Sequence, residues 1–186
     1  MKKIIFMLTV FIFVASSIFA LIEIPIEKIE VVPDTPNSQY TAQIWMNRSQ
    51  GASYYAGEYI TINFTVNKDS YVVVYDIAPG GEVTILFPNR FDQNNFVMAN
   101  QVTMIPRAGY KLQIENKPGK EYLQIIASNK QFVIYESWKQ EFVNSVYPPV
   151  SMKAEEYFKD FANKIIIVPD DDKPIWTSAI TYFYVK

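Results

Sequence analysis

The sequence contains no cysteine and no histidine. The first absence excludes a disulfide framework, a thiolate nucleophile and cysteine-built zinc clusters. The second removes Ser-His-Asp and Cys-His arrangements, histidine-rich zinc sites and the commonest general base near neutral pH. There is also no G-x-S-x-G elbow, no S-x-x-K pair and no phosphate-binding G-x-x-x-x-G-K-[ST] loop. What survives is carboxylate chemistry, such as a glycosidase pair, whose spacing is set by the fold rather than by the sequence. The expectation is a protein that is not an enzyme and needs no cofactor and no metal.

Charge is scarce as well. The 186 residues carry 17 Lys and Arg against 19 Asp and Glu, a net charge of −2. No basic cluster marks a nucleic-acid partner, and no polybasic segment suits anionic lipid. At 49% apolar and 16% aromatic residues the chain can bury a core and is too hydrophobic to stay disordered.

Lys2 and Lys3 precede an apolar run from Ile4 to Ala15 that is broken only by Thr9, and Ser16, Ser17 and Ala20 follow as small residues. This is the three-part pattern of a bacterial secretory signal, with cleavage expected between Ala20 and Leu21. The apolar stretch is shorter than the roughly 20 residues of a spanning helix, although an uncleaved anchor is the alternative. Cleavage leaves 166 residues (186 minus 20), 15 basic against 19 acidic, and a net charge of −4. That length fits one domain with a real core. The expected address is the periplasm or the cell surface, with no stable membrane span once the signal is removed.

Alternation of apolar and polar residues dominates the chain to Ala127. Leu21 to Val32 reads as an edge strand, or two short ones, because Pro25 lies inside it. Tyr40 to Asn47 sets Tyr40, Ala42, Ile44 and Met46 on one face, with Thr41, Gln43 and Trp45 on the other. Residues 54–89 read as a three-stranded antiparallel meander, its middle strand Tyr71 to Ile77 almost wholly apolar. Val102 to Ile105 forms a short strand stopped by Pro106. Tyr110 to Ile114 and Tyr122 to Ala127 read as a hairpin around Lys117-Pro118-Gly119-Lys120. About eight strands precede Ala127, which suggests a two-sheet sandwich.

The period then changes. Trp138, Phe142 and Val146 have helical spacing, and Ser151 is placed to cap a second helix carrying Ala154, Tyr157, Phe158 and Phe161. Lys164 falls in its last turn, and Ile175 to Val185 reads as a closing strand. The fold class expected is mainly β: an antiparallel sandwich with one or two C-terminal helices packed on it.

Tyr55-Ala56-Gly57-Glu58, Tyr71, Pro79-Gly80-Gly81 and Leu86-Phe87-Pro88-Asn89 occur in that order. Ile105-Pro106, Pro118-Gly119-Lys120-Glu121 and Ile126-Ala127-Ser128 follow. Over residues 54–130 this series resembles a bacterial family known as domain of unknown function 4384. The resemblance implies an immunoglobulin-like sandwich in an exported protein, serving as a binding or assembly module, and it names no ligand. Read physically, the same residues are structural. Gly57, Gly81 and Gly119 stand where turns need unusual backbone angles, and Pro88 and Pro106 stop strand edges. Tyr71 and Phe87 suit a core, with the Tyr71 hydroxyl at its rim.

Two features remain. Asp170-Asp171-Asp172 offers oxygen ligands for calcium, or a solvated turn. Trp45 and Trp176 offer rings that could stack on sugars or contact a partner, or else fill a second apolar layer. The leading expectation is an envelope module that associates with another envelope protein. A carbohydrate-binding domain using surface aromatics is the alternative, and a carboxylate-based hydrolase the remote one.

Overall fold

The computed structural model describes residues 24–30, 39–107, 109–132, 135–159 and 174–186. The expected signal peptide with its Ala20–Leu21 junction, and Asp170 to Asp172, lie outside the described residues.

The fold follows from two stretches that are apolar on both faces. In residues 70–77, Val72 and Val74 point one way while Val73, Tyr75 and Ile77 point the other, and all five are buried. In residues 119–128, Leu123, Ile125 and Ala127 oppose Tyr122 and Ile126 in the same manner. A strand with two apolar faces must lie between two layers. These two pair with each other and form the middle of the molecule.

A 3₁₀ turn, Ile26–Lys28, precedes ten strands: β1 (Ala42–Met46), β2 (Ser53–Tyr54), β3 (Tyr59–Ile60), β4 (Ile62–Val66), β5 (Ser70–Ile77), β6 (Glu82–Phe87), β7 (Phe96–Val97), β8 (Thr103–Ile105), β9 (Leu112–Gln113) and β10 (Gly119–Ser128). Helix α1 (Tyr135–Asn144), strand β11 (Pro149–Lys153), helix α2 (Ala154–Lys159) and strand β12 (Trp176–Val185) complete the described elements. One sheet has the order β11-β6-β5-β10-β12-β2, with β7 beside the first residues of β5. A three-stranded sheet β1-β4-β8 and the pair β3-β9 cover its inner face. The two helices cover its outer face, where Tyr75 meets Trp138, Tyr157 and Phe158 edge-on at centroid distances of 6.4, 5.7 and 5.4 Å. The protein is therefore mainly β, with packed sheets that are antiparallel except where β2 runs parallel to the end of β12, and two short helices as a third layer. Among the described residues no helix is long and apolar enough to cross a membrane.

Pairing departs from the sequence reading in several places. Residues 54–89 are not one meander: β4 pairs with β1 and β8, whereas β5 pairs with β6 and β10. The turn after Val66 carries the chain from one sheet to the other. Asn67 fixes it there, accepting from the Thr41 N–H at 2.8 Å and donating to the Gln39 carbonyl at 2.9 Å. The physical reason lies in the faces, since β4 buries only Ile62, Phe64 and Val66 and β5 buries both sides. Likewise β9 pairs with β3 rather than forming a hairpin with β10. Ten described strands, not eight, end by Ser128.

Residues 26–28 form a 3₁₀ turn where an edge strand was expected. Pro25 sets its start, and the turn sends Ile29 into the helical-side core. Ser151 lies in β11, which hydrogen-bonds along the edge of β6, so it does not cap α2; that helix begins at Ala154. Phe161 and Lys164 lie outside the described residues.

Phe87 is fully buried between the sheets, 5.7 Å from the Phe64 ring. Phe87→Ala should lower unfolding stability in urea by about 3–5 kcal/mol. Gln43→Ala on the exposed face of β1 should change it by less than about 0.5 kcal/mol.

Candidate functional site

The inner face of the large sheet is not filled to its end. Where β6, β10 and β12 pass beneath β3, β9 and the segment after α1, a cavity of about 830 Å³ opens. That is within the usual range for a small-molecule site. Its apolar wall includes Ile60, Ile62, Leu86, Leu112, Leu123 and Phe183, while Asn144 to Tyr147 with Pro149 and Val150 close the side facing α1. Tyr147 holds that side in place through a 2.9 Å hydrogen bond from its hydroxyl to the Lys111 carbonyl.

Two carboxylates stand in this wall because of strand register. Asp76 shares the inner face of β5 with Val72 and Val74, and it lies opposite Thr84 on β6 and Leu123 on β10. Glu121, two residues before Leu123, falls on the same face and opposite Phe183. The two acids are therefore diagonal neighbours across one strand pair. Glu121 is buried, and Asp76 keeps part of its surface open to the cavity while its Oδ1 is covered. Among the described residues that oxygen has no hydrogen-bond partner.

Burial is the main force on both acids. It raises Asp76 well above the usual carboxylate range, helped by the charge of Glu115 and opposed by Lys117 and the Ile77 N–H. Burial likewise raises Glu121, with the Asp76 charge adding to it and Lys117 opposing. Lys117 is paired with Glu115 at 2.7 Å, and Lys153 with Glu82; all four side chains are largely exposed. No group of three side chains able to hold a metal ion occurs among the described residues.

Most residues of the sequence series have structural positions. Gly57 has φ +88° and Gly81 φ +82°, and Gly119 is likewise in positive φ where β10 begins. A Cβ on Gly81 would also meet Ile24 at 3.0 Å. Phe87-Pro88 and Ile105-Pro106 are cis peptide bonds. Asn89 is fully buried and organises the exit of β6, donating to the Leu86 carbonyl at 2.8 Å and accepting from the N–H groups of Phe91 and Asp92. Tyr71 packs its ring 5.2 Å from Phe96, and the buried Ser128 hydroxyl accepts from Lys130 N–H. Leu86 and Glu121 differ from the rest, for both line the cavity.

Glu58 proves to be the anchor of the loop before β3. Arg48 donates to both its oxygens at 2.9 and 2.8 Å and also to the Ser53 carbonyl, and the Tyr55 N–H reaches Glu58 at 2.8 Å. The guanidinium bonds lead in holding the Glu58 carboxyl down to about 2.

The two tryptophans part company. Trp45 is 37% exposed on the outer face of β1, in one cross-strand row with Asn63 and Met104. Trp176 is buried in the core under the helices, so its ring is packing rather than a contact surface.

Residues 53–131 match the model of the family described as Domain of unknown function (DUF4384), in agreement with the resemblance read over 54–130. No curated protein and no solved structure matches the chain. The matched segment runs from β2 past the end of β10 and contains Glu58, Asp76 and Glu121.

A raised carboxyl binds its proton more tightly in the folded state, so its contribution to stability is complete below the unfolded value near pH 4 and declines as pH rises toward the folded one. Stability in urea should therefore fall from pH 4 into the neutral range. The fall is at most roughly 1.4 kcal/mol per pH unit for each fully responding carboxyl. Asp76→Asn with Glu121→Gln should flatten that slope. An unchanged slope in the double variant would contradict the assignment.

Proposed function

We propose that this protein is an exported, non-enzymatic binding module of the bacterial cell envelope, and that its ligand or a partner's side chain enters the cavity beside Asp76 and Glu121. The cavity carries this reading. Well-packed interiors leave few voids larger than a water molecule, and this one combines an apolar wall with two convergent acids. Burial raises both acids, which keeps a proton in the cavity wall for a bound group to displace. The export reading rests on the Lys2–Ala20 pattern.

Thr84 lies in the cavity wall opposite Asp76. A photo-crosslinking residue at 84 should yield a discrete adduct in cells, and one at the exposed position 143 of α1 should not. Equal, diffuse labelling from both positions would count against the cavity. The protein recovered from the envelope fraction should begin at Leu21. Cytosolic protein with Met1 intact would remove the export half of the proposal.

A second reading has one observation in its favour. The exposed Trp45 ring shares its face with Asn63, Gln43 and Thr65, an aromatic platform flanked by polar groups of the kind sugars use. If carbohydrate is the ligand, Trp45→Ala should abolish retention on cell-wall glycan and Thr84→Trp should leave it unchanged.

A further inference from the structure

We propose that the cavity takes an alkylammonium group, a primary amine on an apolar chain, with the cationic head at Asp76 and Glu121 and the chain along Ile62, Leu86 and Leu123. The inference rests on the binding reading above and names the ligand class for that site.

Three observations carry it. First, Asp76 lines the cavity with part of its surface open to it, Glu121 lines it as well, and among the described residues no salt bridge joins either acid to a cation. A carboxylate without a paired cation is costly to bury, and an ammonium supplies three donors together with the opposite charge. Second, the balance of charge in the wall is acidic. Glu82 is paired with Lys153 outside the wall, which leaves Asp76, Glu121 and Glu115 against two cations that line it. Of these, Lys117 is paired with Glu115, and Arg90 donates to the carbonyls of Phe142 and Val143. Third, Ile62, Leu86 and Leu123 line the cavity along with the acids and suit a methylene chain, while Thr84 stands opposite Asp76. A metal ion fits less well, because no third metal-ligating side chain joins the pair among the described residues.

The proposal carries a proton with it. An ammonium favours the ionised carboxylate, so binding to a protonated Asp76–Glu121 pair must expel a proton to solvent. The charged groups that line the cavity with Asp76 are Glu121 on β10, Glu82 on β6, Arg90 on the loop after β6, and Glu115 and Lys117 on the loop after β9. Raising the pH removes the proton in advance and strengthens binding, while an alkylamine stays cationic until about pH 10.

The experiment is calorimetric titration of the whole chain with n-hexylamine, n-hexanol and hexanoate at pH 5 and pH 8. The same titrations are run on Asp76→Asn, on Glu121→Gln should that variant be the better folded, and on the blocked cavity of Thr84→Trp. The expected result is that hexylamine binds about tenfold or more tightly at pH 8 than at pH 5. It should release a proton detectable in buffers of different ionisation enthalpy, and lose about tenfold or more in the carboxylate variants. Hexanol should bind weakly and hexanoate not at all. If hexanol equals hexylamine and neither carboxylate variant changes this, the ammonium assignment is overturned while the cavity stands as an apolar site. If no probe binds the wild type any better than Thr84→Trp, both the assignment and the cavity as a binding site are overturned.

Discussion

The structure depends on one ladder, the antiparallel pairing of β5 with β10 from Tyr71–Ser128 to Ile77–Tyr122. Both strands are covered on both faces, so their backbone groups must be satisfied within the sheet and nearly all their side chains must be apolar. The inner sheet, the helical layer and the closing strand β12 all dock onto this pair. A polar side chain placed in such a strand has no nearby solvent and is forced to find a partner or stay neutral. Glu121 is in that position, and Asp76 is relieved of it only where its surface opens to the cavity.

The same constraint links packing to chemistry. The sheets bury Val74 and Ile125 completely, but toward Asp76, two residues after Val74, and Glu121, four residues before Ile125, the covering layer thins to the short β3–β9 pair. The cavity begins there, and the acids stand at its edge rather than deep in the core. Their proton is held by desolvation, with Lys117 too exposed and too engaged with Glu115 to neutralise them. The matched family segment supplies both acids, whereas Phe183 and the residues after α1 lie outside it. The acidic centre and part of its apolar wall thus come from different portions of the chain.

Much of the layering was legible in the sequence. The two-faced apolar pattern of 71–77, the one-faced patterns of 40–46 and 60–66, and the helical spacing of Trp138 and Phe142 all correspond to observed burial. Strand partners were not legible, because pairing joins residues far apart in sequence. Nothing in residues 59–66 announces that they meet β1 and β8 instead of the strand that follows. Asp76 is hidden in a strand that reads as a hydrophobic run, and Glu121 stands in the residue series of the family resemblance, where it reads as structural. The available signal was an acid inside a strand whose neighbours are apolar on both faces. Trp45 could be placed by its polar strand mates, whereas Trp176 has alternating small and polar neighbours that hide its burial.

The most direct test of this account is the ionisation of the two cavity acids in the unliganded protein, followed by side-chain carboxyl carbon NMR across a pH titration, with Asp76→Asn and Glu121→Gln assigning the signals. The account predicts that both titrate well above the normal range for carboxylic acids, each shifting when the other is neutralised, so that the pair still holds a proton near neutral pH. If both instead ionise near pH 4 and independently, the acids are solvated and uncoupled, and the cavity as described here is wrong.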